Sequence, residues 1–260
     1  MTASEPDIQV IRPRWNAPER VRALTTLRRG GVSAGPFAGL NLGSRAGDEP
    51  GNVARNRLLL RSTCNLPGEP VWLKQVHGTR CIDLSHAAED EEADGSYSDE
   101  PGLVCAVLTA DCLPLFVSDA NGERVGLFHV GWRGLAAGIV EQALSIFAGR
   151  PGVLCWLGPS IGPGAFEIGP EVREALEQPG NEPCFKPSEN AGRWMADLYR
   201  LVAHRLHRGD VRNVGWDETA CTYSDTERFF SYRRSRECGR MASLIWIERN
   251  RERNRERNRG

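Results

Sequence analysis

Short apolar blocks, each closed by a turn signal, fill the middle of the chain. Leu113 to Asp119 is apolar and strand-like, and Val125 to Val130 reads as its returning partner. Between them, Asn121-Gly122 is the strongest short hairpin signal, because both central residues of a type I′ turn need positive φ. With those two residues as the turn, Ala120 faces Glu123 and, counting outward, Pro114 faces His129. Cys112 then becomes the diagonal neighbour of His129 on the same face, and diagonal Cα atoms lie ~7–8 Å apart with side chains reaching closer. Pro114 cannot donate to a ladder, so an edge or a bulge is expected there.

The same reading extends outward. Ile8–Ile11 is a short strand and Gly30–Gly43 a glycine-rich loop that brings backbone close to something. Val53–Ser62 is helical. Val71–His77 is strand-like, with Leu73, Gln75 and His77 on one face. Leu103–Leu108 is a buried strand, and Thr109–Cys112 connects it to the hairpin. Leu135, Ile139, Ala143 and Phe147 recur at i+4, which predicts one amphipathic helix over Leu135–Phe147. Val153–Leu157 reads as a strand, and Pro170 stands at the first turn of another helix. Trp194–His207 is helical by pattern, with His204 and His207 on a solvated face. Val211–Trp216 is a strand, and Phe229–Arg233 with Met241–Ile247 reads as a strand pair.

Composition narrows the function classes. The 260 residues suit one large domain or two small ones. A net charge of −1 supplies no bulk attraction to nucleic acid or to an anionic membrane. No apolar run reaches the ~18 residues of a transmembrane helix, and the first residues lack the apolar core of a secretory signal. Eight cysteines are irregularly spaced with no CxxC, which reads as free thiols in a reducing cytoplasm. Glu89–Glu92 is a short acidic, solvated run. The chain ends in repeats of ERNR, a charge-mixed stretch without apolar residues, so 248–260 is expected to be a disordered or solvated tail.

The candidate chemistry lies at His77, Cys112 and His129. Two imidazoles and a thiolate suit zinc and leave a fourth tetrahedral position. Asp111, beside the cysteine, is a candidate general base or a partner that orients a histidine. Cys112 could instead be a nucleophile with His129 as its base, and the same ligands also suit copper. Arg133 precedes the helix that starts near Leu135, where an anionic group could dock. Arg57 could face outward or into a site.

The motifs GVSAGPFAGLNLG (31–43), NVARNR (52–57), KQVHG (74–78), ADG (93–95), PGLVCAVLTADCLP (101–114), HVGWRGLAAGIVE (129–141), LGPSIGP (157–163), FEIGPEV (166–172), CTYSD (221–225), FFSYRR (229–234) and GRMASLIW (239–246) run in one order. In them the chain resembles the YfiH or laccase-domain family, also called polyphenol oxidoreductases and purine nucleoside phosphorylases. Ser96-Tyr97-Ser98 departs from the apolar residues usual after ADG, and the arginine-rich tail is no part of the pattern. The resemblance implies an α+β fold of the cytotoxic-necrotizing-factor/YfiH-like type: a monomeric single large domain over 1–247, with mixed β-sheets flanked by helices.

It also implies a metal centre at His77, Cys112 and His129, and phosphorolysis of adenosine, inosine and S-methyl-5′-thioadenosine. Arg57 and Arg133 are then candidates for phosphate or ribose, and Asn41 and Gln75 for the nucleoside. Deamination of adenosine fits zinc-activated water attacking C6. The family carries other assignments. One is copper-dependent oxidation of polyphenols, and five histidines are too few for a full multicopper array. Another is amide hydrolysis that edits a peptidoglycan precursor. A metal-binding or docking module without catalysis is the non-enzymatic alternative.

Overall fold

The structure, a computed structural model, describes residues 8–88 and 90–249. The first seven residues, Glu89 of the acidic run and the tail from Asn250 lie outside the described residues. In chain order the strands are β1 (Val10–Ile11), β2 (Val21–Thr26), β3 (Cys81–Asp83), β4 (Gly95–Ser98), β5 (Val104–Thr109), β6 (Leu113–Ser118), β7 (Val125–Val130), β8 (Leu154–Leu157), β9 (Glu167–Ile168), β10 (Phe185–Pro187), β11 (Trp194–Ala196), β12 (Asn213–Trp216) and β13 (Met241–Ile247). The α-helices are α1 (Pro50–Thr63), α2 (Trp132–Ala137), α3 (Ile139–Ile146), α4 (Pro170–Leu176) and α5 (Leu198–Arg208).

The hairpin of β6 and β7 sits inside a six-stranded mixed sheet ordered β12-β8-β6-β7-β4-β3. The pairs β12–β8 and β3–β4 are parallel, and the others antiparallel. A four-stranded antiparallel sheet, β1-β2-β13-β5, packs on one face. A small sheet, β10-β11-β9, lies at the periphery. This is an α+β fold in a single domain, with mixed sheets flanked by helices.

Period-two alternation decides what each face buries. Leu113, Leu115 and Val117 pack with Ile139, Val140, Leu201 and Leu206 of the helices. Phe116, with Val125 and Leu127, points the other way, against Cys105, Val107 and Ile245 of the second sheet. The far face of that sheet, with Leu24, Ala106 and Leu244, is covered by Leu60 of α1 together with Leu40 and Leu42. Burying each such side chain is worth ~1.5–3 kcal/mol. Among the described residues, no helix is long and apolar enough to cross a membrane.

The predicted register is correct, with Pro114 opposite His129, but the type I′ turn is not formed: only Gly122 takes positive φ, +66°, and the Asp119 carboxylate gathers the loop by accepting the Asn121, Glu123 and Arg124 N–H groups. The expectation of an edge at Pro114 is not met, since β6 is flanked by β8 and β7. The Pro114 carbonyl points toward β8, accepting from the Gly158 N–H, and the His129 N–H points away to the Asp94 carbonyl. The two residues therefore form a non-hydrogen-bonded pair, so the missing N–H costs the hairpin nothing.

Other expectations need correction. The helix over 135–147 is two helices, because Gly138 takes φ +100° and both ends α2 and begins α3. The helix from Trp194 begins only at Leu198. Trp194–Ala196 pairs with β10 and β9, and the Asp197 carboxylate caps α5 by accepting the Arg200 N–H. Residues 229–233 form no strand; Phe229 and Phe230 instead fill a buried cluster with Met241. The segment 71–77 makes only bridges, Val71 to Cys105 and Lys74 to Glu92.

Candidate metal centre and cleft

His77 sits where that bridged segment ends. The N–H groups of Val76, His77 and Gly78 all donate to the Asp94 carboxylate, at 3.1, 2.9 and 2.7 Å. This wrapping needs a tight turn, and His77 takes φ +61°. A non-glycine residue there carries strain. Three charge-assisted hydrogen bonds hold it.

His129 comes from the centre of the fold, on β7, and is 3% exposed. Its Nδ1 donates to Asp94 Oδ1 at 2.8 Å. That leaves Nε2 as the ligating nitrogen, the usual arrangement for a histidine oriented by a carboxylate. Asp94 thus positions both histidines. Burial works against its charge, but the hydrogen bond from His129 and those from the Gly78 and Val76 N–H groups outweigh it. The carboxyl is held below the ordinary carboxylate range.

Cys112 enters from the connector between β5 and β6. Its Sγ lies 3.7 Å from His77 Nε2, and the two imidazoles meet edge to face with centroids 4.7 Å apart. The three ligand atoms lie within 4.8 Å of one another. Zn–S at ~2.3 Å and Zn–N at ~2.0–2.1 Å with tetrahedral angles would put S and N ~3.5 Å apart, so the donor set and spacing fit a zinc-sized ion. Gly131 makes room: a Cβ there would stand 2.9 Å from His77 Cδ2 and 3.0 Å from Cys112 Sγ. Burial raises the Cys112 thiol, but the charge of His129 and hydrogen bonds from both histidines bring it down to about 6. Burial likewise opposes the His129 charge, and Cys112 and Asp94 together raise it to about 9. Each group is thus shifted toward its charged form by the other.

The trio opens into a cleft of about 910 Å³. Its walls include Arg45, Arg57, Trp72, Gln75, Asp90, Arg133, Tyr232 and Arg240. Of the predicted substrate contacts, Arg57, Gln75 and Arg133 line it. Arg57 donates to the Leu42 carbonyl and lies over the Trp72 ring, 4.1 Å from its centroid. Gln75 exchanges two hydrogen bonds with the Leu108 backbone, so both polar ends of its amide are engaged. Arg133 is exposed and lies over Trp132, 4.4 Å from the ring centroid.

Two predicted residues lie elsewhere. Asn41 is fully buried outside the cleft lining. It donates to Asp48 and accepts from the Gly43 and Arg240 N–H groups, supporting the wall rather than facing a ligand. Asp111 is not the carboxylate beside a trio histidine. Its oxygens accept from Thr222 Oγ1, Ser231 Oγ and the Arg233 N–H, at 2.6, 3.0 and 2.7 Å. Asp94 takes the orienting place instead. Its only sequence signal is the ADG motif, which becomes meaningful once β4 is seen beside β7. Tyr232 and Arg240 lie inside the motifs FFSYRR and GRMASLIW, which give them no role, and Arg45 lies in none; three separate loops bring them to one cleft.

Residues 22–248 match the family described as multi-copper polyphenol oxidoreductase laccase. The chain belongs to this family. Among its relatives, the purine nucleoside phosphorylase YfiH of Escherichia coli is 46% identical over 92% of this chain and 99% of its own. The purine nucleoside phosphorylase PA4543 of Pseudomonas aeruginosa is 48% identical over 92% and 98%. The crystal structure of protein NMB0706 of Neisseria meningitidis superposes with a TM-score of 0.86 at 38% identity, covering 92% of this chain and 99% of that one. The family relationship extends to nearly every described residue, and relatives in it are named as enzymes.

Proposed function

We propose that this protein is a zinc-dependent purine nucleoside phosphorylase that also deaminates adenosine. The observation that carries the reading is the His77, Cys112 and His129 cluster set in a cleft with several guanidinium groups. The names of the relatives support it. Its substrates are adenosine, inosine and S-methyl-5′-thioadenosine.

Zinc held by the trio supplies Lewis-acid chemistry, including activation of water near neutral pH. The chain's own residues do the rest. Asp94 fixes the His129 tautomer and the His77 turn, so the ligand geometry is set before substrate arrives. Arg133 and Arg57 hold the phosphate, whose oxygen attacks C1′ while the bond from C1′ to the purine nitrogen breaks and its electron pair leaves with the base. Holding phosphate and nucleoside together is itself a large part of the acceleration. In deamination, water adds at C6 and ammonia leaves.

Metal-replete protein given adenosine and phosphate should release adenine and ribose 1-phosphate, and adenosine alone should yield inosine. Zinc should be found by metal analysis of the purified protein. A nucleoside panel without turnover by metal-replete protein rejects the reading. We read the protein as a cytoplasmic monomer, testable by sedimentation. One observation favours a second reading: Cys112 lies beside His129, each shifted toward its charged form by the other, and such a pair suits a cysteine hydrolase acting on an amide, such as a cell-wall precursor. Cleavage of that amide by metal-free protein, with nucleosides inert, would select it.

A further inference from the structure

Among the described residues, the cleft carries guanidinium groups from Arg45, Arg57, Arg133 and Arg240 against a single carboxylate, that of Asp90. These arginines are engaged differently. Arg57 donates to the Leu42 carbonyl, and Arg240 to the carbonyls of Cys238 and Gly239. Arg45 instead grips an acid: its Nη2 lies 2.6 and 2.5 Å from the two oxygens of Asp90. Both side chains are largely exposed, at 50% and 60%, and an exposed ion pair is weak enough for another anion to displace. Asp90 is presented by a backbone in the left-handed region, φ +64°, a conformation aspartate tolerates better than most residues. The Arg45 hydrogen bond, then the fields of Arg45, Lys74 and Arg57, hold its carboxyl below the usual range. It therefore remains a charged acceptor at neutral pH.

We propose that Asp90 is a built-in competitor for the phosphate group of the substrate: it holds Arg45 until an incoming phosphate takes that guanidinium, and so sets how tightly the cleft binds the anion. A carboxylate and a phosphate oxygen ask the same guanidinium for the same hydrogen bonds. The arrangement keeps Arg45 oriented in the cleft at the cost of weaker anion binding. The identity of the anion rests on the phosphorylase reading; the competition itself does not.

The test is calorimetric titration of the full, metal-replete chain with inorganic phosphate at low ionic strength, and in parallel with adenosine 5′-monophosphate against adenosine. Asp90→Asn should tighten phosphate binding about two- to fivefold, as expected for releasing an exposed ion pair. Arg45→Met should weaken it by a similar factor, and Asp90→Asn should add nothing in the Arg45→Met background. Tightening for the monophosphate but not for inorganic phosphate would assign the contested group to a phosphorylated nucleoside. Unchanged or weaker binding of both by Asp90→Asn overturns the proposal, as does a tightening that survives loss of Arg45. Both residues are exposed, so the variants should fold, which circular dichroism checks. Binding is read without turnover: if Asp90→Asn tightens phosphate while no nucleoside is cleaved, the competition stands and the phosphorylase reading fails.

Discussion

Two buried aspartates flank the candidate metal centre, and they do opposite jobs. Asp94 faces the ligands, gathering three N–H groups around His77 and the Nδ1–H of His129. Asp111 adjoins Cys112 in sequence, yet it faces away. It fastens the connector to Thr222, Ser231 and the Arg233 N–H, residues more than a hundred positions later. Both are carboxylates with hydroxyl or N–H donors all around them, and sequence adjacency points to the wrong one. What distinguishes them is direction. Asp111, at φ +96°, directs its carboxylate to Thr222, Ser231 and the Arg233 N–H. Asp94 precedes β4, which pairs with β7 and brings the carboxylate under His129. One aspartate orients the two histidines and the other anchors the wall beside them.

The comparison is broken or sharpened by substitution. Asp94→Ala should have the largest effect. It removes a buried acceptor from four donors, including a charged imidazole, for an expected loss of ~3–5 kcal/mol in stability. Metal affinity should fall ~10–100-fold with it. Urea unfolding and zinc competition measure the two; metal affinity left intact would show that Asp94 is structural only. Asp111→Asn should cost ~1.5–3 kcal/mol, since hydrogen bonds to a charged group are lost. Its zinc affinity should stay close to wild type, and a loss equal to that of Asp94→Ala would erase the distinction.

Acid gives a gentler separation. The folded Asp94 pKa lies below its unfolded value, so its stabilisation is complete above the unfolded pKa of ~3.9. It is lost as pH falls through the lower, folded value. Wild type should therefore lose more of its urea midpoint between neutral and acidic pH than Asp94→Asn does. Equal losses in the two would deny Asp94 this role.

The smallest effect is spectroscopic. In metal-free protein the Cys112 thiolate should titrate by ultraviolet absorbance near the indicated value of about 6, while Cys105, pushed up by burial to about 12, stays protonated. Cys112→Ala should remove that titration. Its persistence would mean that another thiol carries it. Gly131→Ala, which places a methyl against both Cys112 and His77, should disturb the same titration and weaken zinc without unfolding the chain.

Much of the centre was legible before the fold was known. The hairpin register agrees with counting outward from Asn121-Gly122, but the turn expected there does not form: Asn121 keeps negative φ, and the Asp119 carboxylate holds the loop instead. That register placed Cys112 near His129 correctly, and the motif resemblance supplied His77. The helix expected over 135–147 breaks at one residue, Gly138, since a glycine in a continuous apolar period does not announce positive φ. The apolar spacing of Trp194–Ala196 is also compatible with a helix, and pairing with β9 and β10 decides for a strand.

By itself, the amino-acid order determined the local matters: where the hairpin turns, which strand faces are apolar, and which side chains are soft and basic enough to hold a metal ion. These depend on neighbours within a few residues. Tertiary structure alone decided which aspartate serves the histidines, that Asn41 is buried support, and that Arg45, Tyr232 and Arg240 share one cleft. A carboxylate's role is set by what lies within about 3 Å of its oxygens, and those neighbours come from segments whose separation along the chain carries no record of their meeting.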